Sequence, residues 1–226
     1  MENNMHIEPG LVSEAKLVLS YATAAASIAY AAKLATADIK ERGLMSLSAR
    51  IGISTVLVFL FFEVLPHFPI GVSEVHLILG STLFLVFGAA PAALGLMLGL
   101  LVQGVFFAPQ DLAQYSMNVT TLLVPLFGLQ MLAAKVIPSK MAYVDLQYRQ
   151  AFMLSTAYQG GIVAWVAFWA IYGQGFGAAN ISSIATFGLS YMLVVLIEPA
   201  IDLGVLAIAK LGQASSLTSS RLHATA

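Results

Sequence analysis

Cysteine is absent from the 226 residues. Its absence removes disulfides, thiolate metal sites, iron–sulfur clusters and cysteine nucleophiles together. Charge is scarce as well, at 9% of residues, where a soluble domain carries about a quarter. A formal net charge of -1 argues against nucleic acid as a partner. There is no Gly-x-x-x-x-Gly-Lys-Ser/Thr phosphate loop, so energy for any transport has to come from partners or a gradient. A long internal repeat is missing too, which disfavours inverted-repeat secondary transporters. No basic lead-in precedes the first apolar stretch, which starts after Glu14 and Lys16, so a cleavable signal is not expected.

What the chain does have is apolar length. It is 59% hydrophobic, with a mean hydropathy of +0.88. A crossing needs roughly 20 apolar residues, which leaves room for about six or seven. The expectation is an all-α, polytopic membrane bundle of about seven transmembrane helices, multi-pass in the plasma (inner) membrane. Candidate helices are about 12–36, 47–65, 77–90, 91–107, 117–136, 150–173 and 181–210. The third and fourth meet at Ala89-Ala90-Pro91 and read as a tight hairpin, a re-entrant pair or one kinked helix. Residues 1–212 form one membrane domain, and 213–226 are expected to be a disordered cytoplasmic tail.

Charge sets the count of crossings. Lys33, Lys40, Arg42 and Arg50 flank the first connection; Lys135, Lys140 and Arg149 flank the fifth; Lys210 and Arg221 follow the last helix. Nine of the ten basic residues, all but Lys16, fall on one side if 77–107 makes an even number of crossings. The positive-inside bias favours that count, with the N-terminus outside and the C-terminus cytoplasmic. Gly95 and Gly99 form a small-xxx-small pair, and Gly160-Gly161 opens another close approach. Pro125 and Pro199 are expected to kink their helices.

This topology gathers His6, His67 and His76 on the outer face with Glu8, Glu63, Glu74 and Asp111, while His223 lies in the tail. In a chain beginning at Met5, the amine, the backbone nitrogen of His6 and the His6 imidazole are poised to chelate one ion in a plane. His76 is the natural fourth nitrogen, and a four-nitrogen plane suits Ni(II) or Cu(II) and admits Co(II). Because each nitrogen binds deprotonated, affinity should fall with pH. An outer histidine is as readily an interfacial hydrogen-bonding residue, and His67, between two prolines, reads as a turn cap or a fallback ligand. Ser73 and Glu74 either orient the His76 ring or solvate a loop; Asn118 and Gln103 are similarly open. Glu198 and Asp202 lie one turn apart on the last apolar helix. Acids at that depth default to functional candidates, for coupling or an ion pathway, unless both reach the cytoplasmic interface.

Three stretches carry a resemblance: Met5-His6-Ile7, Ser73-Glu74-Val75-His76-Leu77, and Leu101-Val102-Gln103-Gly104-Val105-Phe106-Phe107, with Asn118 opening the following helix. Together they resemble the cobalt/nickel transport family of CbiM and NikM proteins, over most of the chain. The resemblance implies the substrate-capturing membrane subunit of an energy-coupling-factor ABC importer, without its own ATPase and with no catalytic cofactor. It implies a Ni(II) or Co(II) substrate, a place beside cobalamin biosynthesis, and a transmembrane coupling subunit and cytoplasmic ATPases as partners. Its metal ligands carry over to Met5, His6 and His76. Two features depart from the pattern: Met1-Glu2-Asn3-Asn4 precede Met5, and Glu74-Val75 stand where smaller residues are usual.

Two rivals remain. One is an autonomous proton-coupled transporter using Glu198 and Asp202; the other is an intramembrane enzyme with Ser190 as nucleophile, for which no histidine is placed as base. The amino terminus supplies a direct check. N-terminal sequencing of native protein should find Met5 first, or a chain starting at Met1 should bind metal weakly, because an internal peptide nitrogen is a poor donor.

Overall fold

The computed structural model describes residues 7, 11–138 and 141–211. Met5, His6, Glu8, Lys140, Arg221, His223 and the 213–226 tail lie outside the described residues. Seven α-helices appear among the described residues: α1 (Glu14–Arg42), α2 (Leu44–Phe59), α3 (Gly80–Phe87), α4 (Ala89–Phe106), α5 (Tyr115–Val136), α6 (Tyr148–Gln174) and α7 (Ala178–Leu211). Six of the helical segments are long and apolar enough to cross a membrane; α3, with eight residues, is half the length required. The expected helix over 77–90 is therefore cut short. Its first residues run on from a small hairpin of strands β1 (Phe68–Ile70) and β2 (Ser73–Val75), paired antiparallel with Pro69 opposite Glu74. The apolar run looks the same whether coiled or extended, so periodicity over so few residues could not separate the two.

Close packing fixes the direction of the helices. A Cβ on Gly95 would stand 2.3 Å from the Ser54 side chain, and one on Gly99 would stand 2.5 Å from Val58. Residue numbers rise together along both helices, so α2 and α4 run parallel. A parallel neighbour requires the chain to return the full depth of the bundle between them, and hairpin plus α3 make that return. The even number of passes anticipated for 77–107 thus takes the form of a half-extended, half-helical descent followed by a full helix. One end of the bundle carries the hairpin, the start of α1 and the α6–α7 turn, where Lys16 Nζ donates to the carbonyls of Tyr172 (2.7 Å) and Gly173 (3.0 Å). The other end carries Arg42, Lys135, Arg149 and Lys210.

Between α2 and β1, Leu60–Val64 widens into a π-helical turn. It leaves Phe62 buried, with its ring edge-on to His76 at 4.8 Å between centroids. Gly161 packs on the ring of Pro125, where a Cβ would stand 2.8 Å away, whereas nothing approaches Gly160 within 4 Å. Only one member of that glycine pair serves a helix contact.

Arg50 is the largest charged side chain of the interior, 0% exposed. Its Nη1 donates to Asp38 Oδ2 at 3.0 Å and to the Phe87 carbonyl at 2.8 Å, and its Nη2 donates to Asp38 Oδ1. The guanidinium thus joins α1 and α2 to the C-terminal end of α3, where a cation is favoured by the helix dipole. Charge counting placed Arg50 with the connection-flanking basic residues, and it does lie at that end, but inside the bundle. Arg50→Leu leaves Asp38 unpaired, and we expect a loss of about 3 kcal/mol or more. Arg50→Lys should recover little of it, since an ammonium cannot reproduce the forked pairing. Unfolding followed by circular dichroism in detergent measures both.

Candidate functional site

At the hairpin end a small, partly open pocket lies among β2, α4, α5, α6 and α7; Ser73, Glu74, His76 and Asn118 all line it. These four come from two stretches of sequence more than forty residues apart. Ser73 and Glu74 sit on β2, and His76 follows it directly. Asn118 sits in the first turn of α5. All four are buried, with His76 7% exposed and Glu74 4%, although they belong to the face anticipated as a solvent boundary. The hairpin tucks them inward by packing on α7, where the Cβ position of Gly71 lies against the Ser183 carbonyl.

Ile7 lines the same cavity. Its backbone N–H donates to Asn118 Oδ1 at 3.4 Å, and its side chain is 2% exposed. The residue that follows His6 directly in the chain therefore stands in one pocket with His76. Met5 and His6 themselves lie outside the described residues. Among the described residues no three of His, Asp and Glu gather as a metal cage.

His67 stays apart from this pocket. It is half-buried, and its Nδ1 lies 3.2 Å from the Leu65 carbonyl, the turn-capping geometry between Pro66 and Pro69. Gln103 donates from Nε2 to Glu63 Oε2 at 3.4 Å and, with Asp111, lines a neighbouring hollow that Asn118 also borders. Asn118 and Leu100 thus form the wall between the two.

Glu198 and Asp202 do not reach the interface: they are 0% and 1% exposed. Glu198 Oε1 accepts the backbone N–H groups of Ile78 and, at 2.9 Å, Leu79, and its Oε2 accepts from Gln159 Nε2. Tyr191 donates its hydroxyl to Gln159 Oε1 at 2.9 Å. One turn on, Asp202 accepts from the hydroxyls of Ser81 at 2.6 Å and Thr82. Glu198 therefore holds the two residues that lead into α3, and Asp202 holds the hydroxyls of its first turn. Gln159 and Tyr191 were missed in the sequence. For Gln159 there was a signal, an amide midway along the apolar stretch 150–173, since polar groups at that depth seek a partner; for Tyr191 the sequence offered none.

The family model for a cobalt uptake substrate-specific transmembrane region, CbiM, matches residues 6–214. No curated protein and no solved structure matches the chain significantly.

The Asn118 contact predicts a local effect. Asn118→Ala should speed amide exchange at Ile7 about fivefold or more, the equivalent of one net hydrogen bond of about 1 kcal/mol. Exchange read by mass spectrometry on amino-terminal peptides, with core peptides of α5 unchanged, checks it.

Proposed function

Because the chain belongs to the CbiM family of cobalt-uptake transmembrane components, we propose that it captures Co(II) or Ni(II) in the pocket at its hairpin end. It is a multi-pass membrane component of cobalt uptake; the ion, the donors and the partners are our reading. In that reading the hairpin end faces outward and the arginine- and lysine-bearing end faces the cytoplasm. The ion is held by the amine of a chain starting at Met5, by the backbone and ring nitrogens of His6, and by His76. The observation that carries this is the shared pocket of Ile7 and His76, which come from positions about seventy residues apart. Donors just before Ile7 need no long reach to meet the imidazole.

Each part of the pocket has a chemical task in this scheme. The planar peptide aligns the amino-terminal nitrogens, and Asn118 fixes the chain where it leaves the metal. Phe62, edge-on to the His76 ring, sets the imidazole plane and excludes water from one side. Glu74 and Ser73 supply polar groups that can orient a ligating ring, and a buried carboxylate offsets part of the dication's charge. Passage inward requires an energy source outside the chain, supplied by a transmembrane coupling protein and cytoplasmic ATPases, as in an energy-coupling-factor importer. A proton-coupled carrier using Glu198 and Asp202 has less support, because both carboxylates are engaged with the end of α3.

His76→Ala should reduce Co(II) and Ni(II) affinity by at least about 100-fold, more than loss of an outer hydrogen-bond partner to a ligand, while insertion and thermal stability stay near the parent's. Titration calorimetry on protein purified in detergent measures it. Affinity equal to the parent's for both ions would overturn the assignment.

A further inference from the structure

Glu198 does not itself line the pocket, yet its hydrogen bonds reach two of its walls, one directly and one through Gln159. On one side its Oε1 holds the N–H groups of Ile78 and Leu79, two and three residues after His76, and Ile78 itself lines the pocket. On the other side its Oε2 takes the Gln159 amide, whose Oε1 receives the hydroxyl of Tyr191, a second lining residue from α7. Backbone strain sits at the join. Leu79 has φ 52°, the one left-handed non-glycine among the described residues, a conformation that costs a side-chain-bearing residue roughly 1–2 kcal/mol. Gly80 follows at once, its Cβ position lying 2.3 Å from the Tyr158 hydroxyl, so α6 stops the segment from sliding inward. A strained residue persists where its surroundings over-determine it, and here the carboxylate supplies the determining contacts.

We propose that Glu198 is a positioning residue of the cation pocket: one carboxylate, by clamping the segment after His76 and by reaching Tyr191 through Gln159, sets the spacing between the imidazole and the α7 wall. The inference rests on the reading of that pocket as the Co(II)/Ni(II) site. Its role is that of an acceptor, so the amide isostere should serve. A glutamine at 198 still offers Oε1 to Ile78 and Leu79, and the Gln159 amide can turn to present its oxygen, its Nε2 then donating to the Tyr191 hydroxyl oxygen in place of the bond it accepted. A proton-relay role would demand the ionisable acid instead.

The test compares the parent with His76→Ala, Glu198→Ala, Glu198→Gln and Gln159→Leu, each purified in detergent and checked for folding by thermal unfolding. Co(II) affinity is read by calorimetry, and the bound ion's geometry by its ligand-field absorption. Glu198→Ala should bind about 10- to 100-fold more weakly, the range seen for partners that orient a ligand, with shifted absorption bands. Glu198→Gln should stay within about threefold of the parent, since its hydrogen-bonding pattern survives. Should Glu198→Ala not fold, Gln159→Leu carries the comparison, with a loss of about tenfold expected from cutting the Tyr191 arm alone. Parental affinity and an unshifted spectrum in Glu198→Ala, or in Gln159→Leu where that variant decides, overturn the clamp while His76→Ala still loses binding. A Glu198→Gln as weak as Glu198→Ala overturns it also. Parental binding by His76→Ala would instead remove the pocket reading on which the clamp rests.

Discussion

A helix that begins and ends inside a bundle has to find partners for the N–H groups at one end and the C=O groups at the other. Lipid offers none. In this chain α3 is such a helix, and its two ends are met by complementary side chains from other elements: the acceptor Glu198 at the front and the donor Arg50 at the back. Asp202 adds a second acceptor for the first-turn hydroxyls, and Asp38 balances Arg50 from α1. The arrangement follows the polarity of the helix dipole at both ends. It ties α1, α2, α6 and α7 to eight residues that could not hold a place in an apolar bundle by themselves.

The pocket is a product of the same arrangement. A full-length third helix would run through the space where residues 76–79 are now irregular, and His76 would point from a helix surface. With the helix shortened, the chain passes His76 in an open conformation that lets its ring lie against Phe62 and lets Ile78 and Tyr191 wall one space. Irregular backbone at such depth is tolerated where it is buried in protein or lines a cavity, and both conditions hold here.

Much of this was legible before any coordinates, because apolar length is a strong signal and lipid punishes exceptions. The long helices, the Gly95/Gly99 approach and the placing of Glu198 and Asp202 one turn apart on the last helix all follow from residue type and spacing. The same holds for the grouping of Arg42 and Arg50 with Lys135 and Arg149 at one end. Whether Glu198 and Asp202 stay buried or reach the interface was left open by the sequence. The broken third segment did not show itself, because the residues on either side of Gly80-Ser81-Thr82 are apolar whether coiled or extended, and that short interruption fits a helix interior as well as a helix start. Its true markers were elsewhere in the chain: an acid near Pro199 and an arginine at position 50 that looked like an ordinary flanking charge. Their partners are backbone groups, which one residue type does not announce more than another. In the candidate site, Ser73, Glu74, His76 and Asn118 were named from sequence and share one cavity. The contributions of Gln159 and Tyr191 emerge only when α6 and α7 are laid side by side.

The π-helical turn at Leu60–Val64 makes α2 unforgiving of changes in length. Below it, Ser54 and Val58 are locked into the glycine groove of α4; above it, Phe62 meets His76 while its neighbour Glu63 meets Gln103. Inserting one more residue into a stretch whose winding is already wide would swing everything beyond it by about 100°. The aromatic edge would then leave the imidazole with no loss of hydrophobicity anywhere in the segment. Among relatives that drift freely in sequence, the number of residues between Val58 and His76 should therefore be held more tightly than their identities.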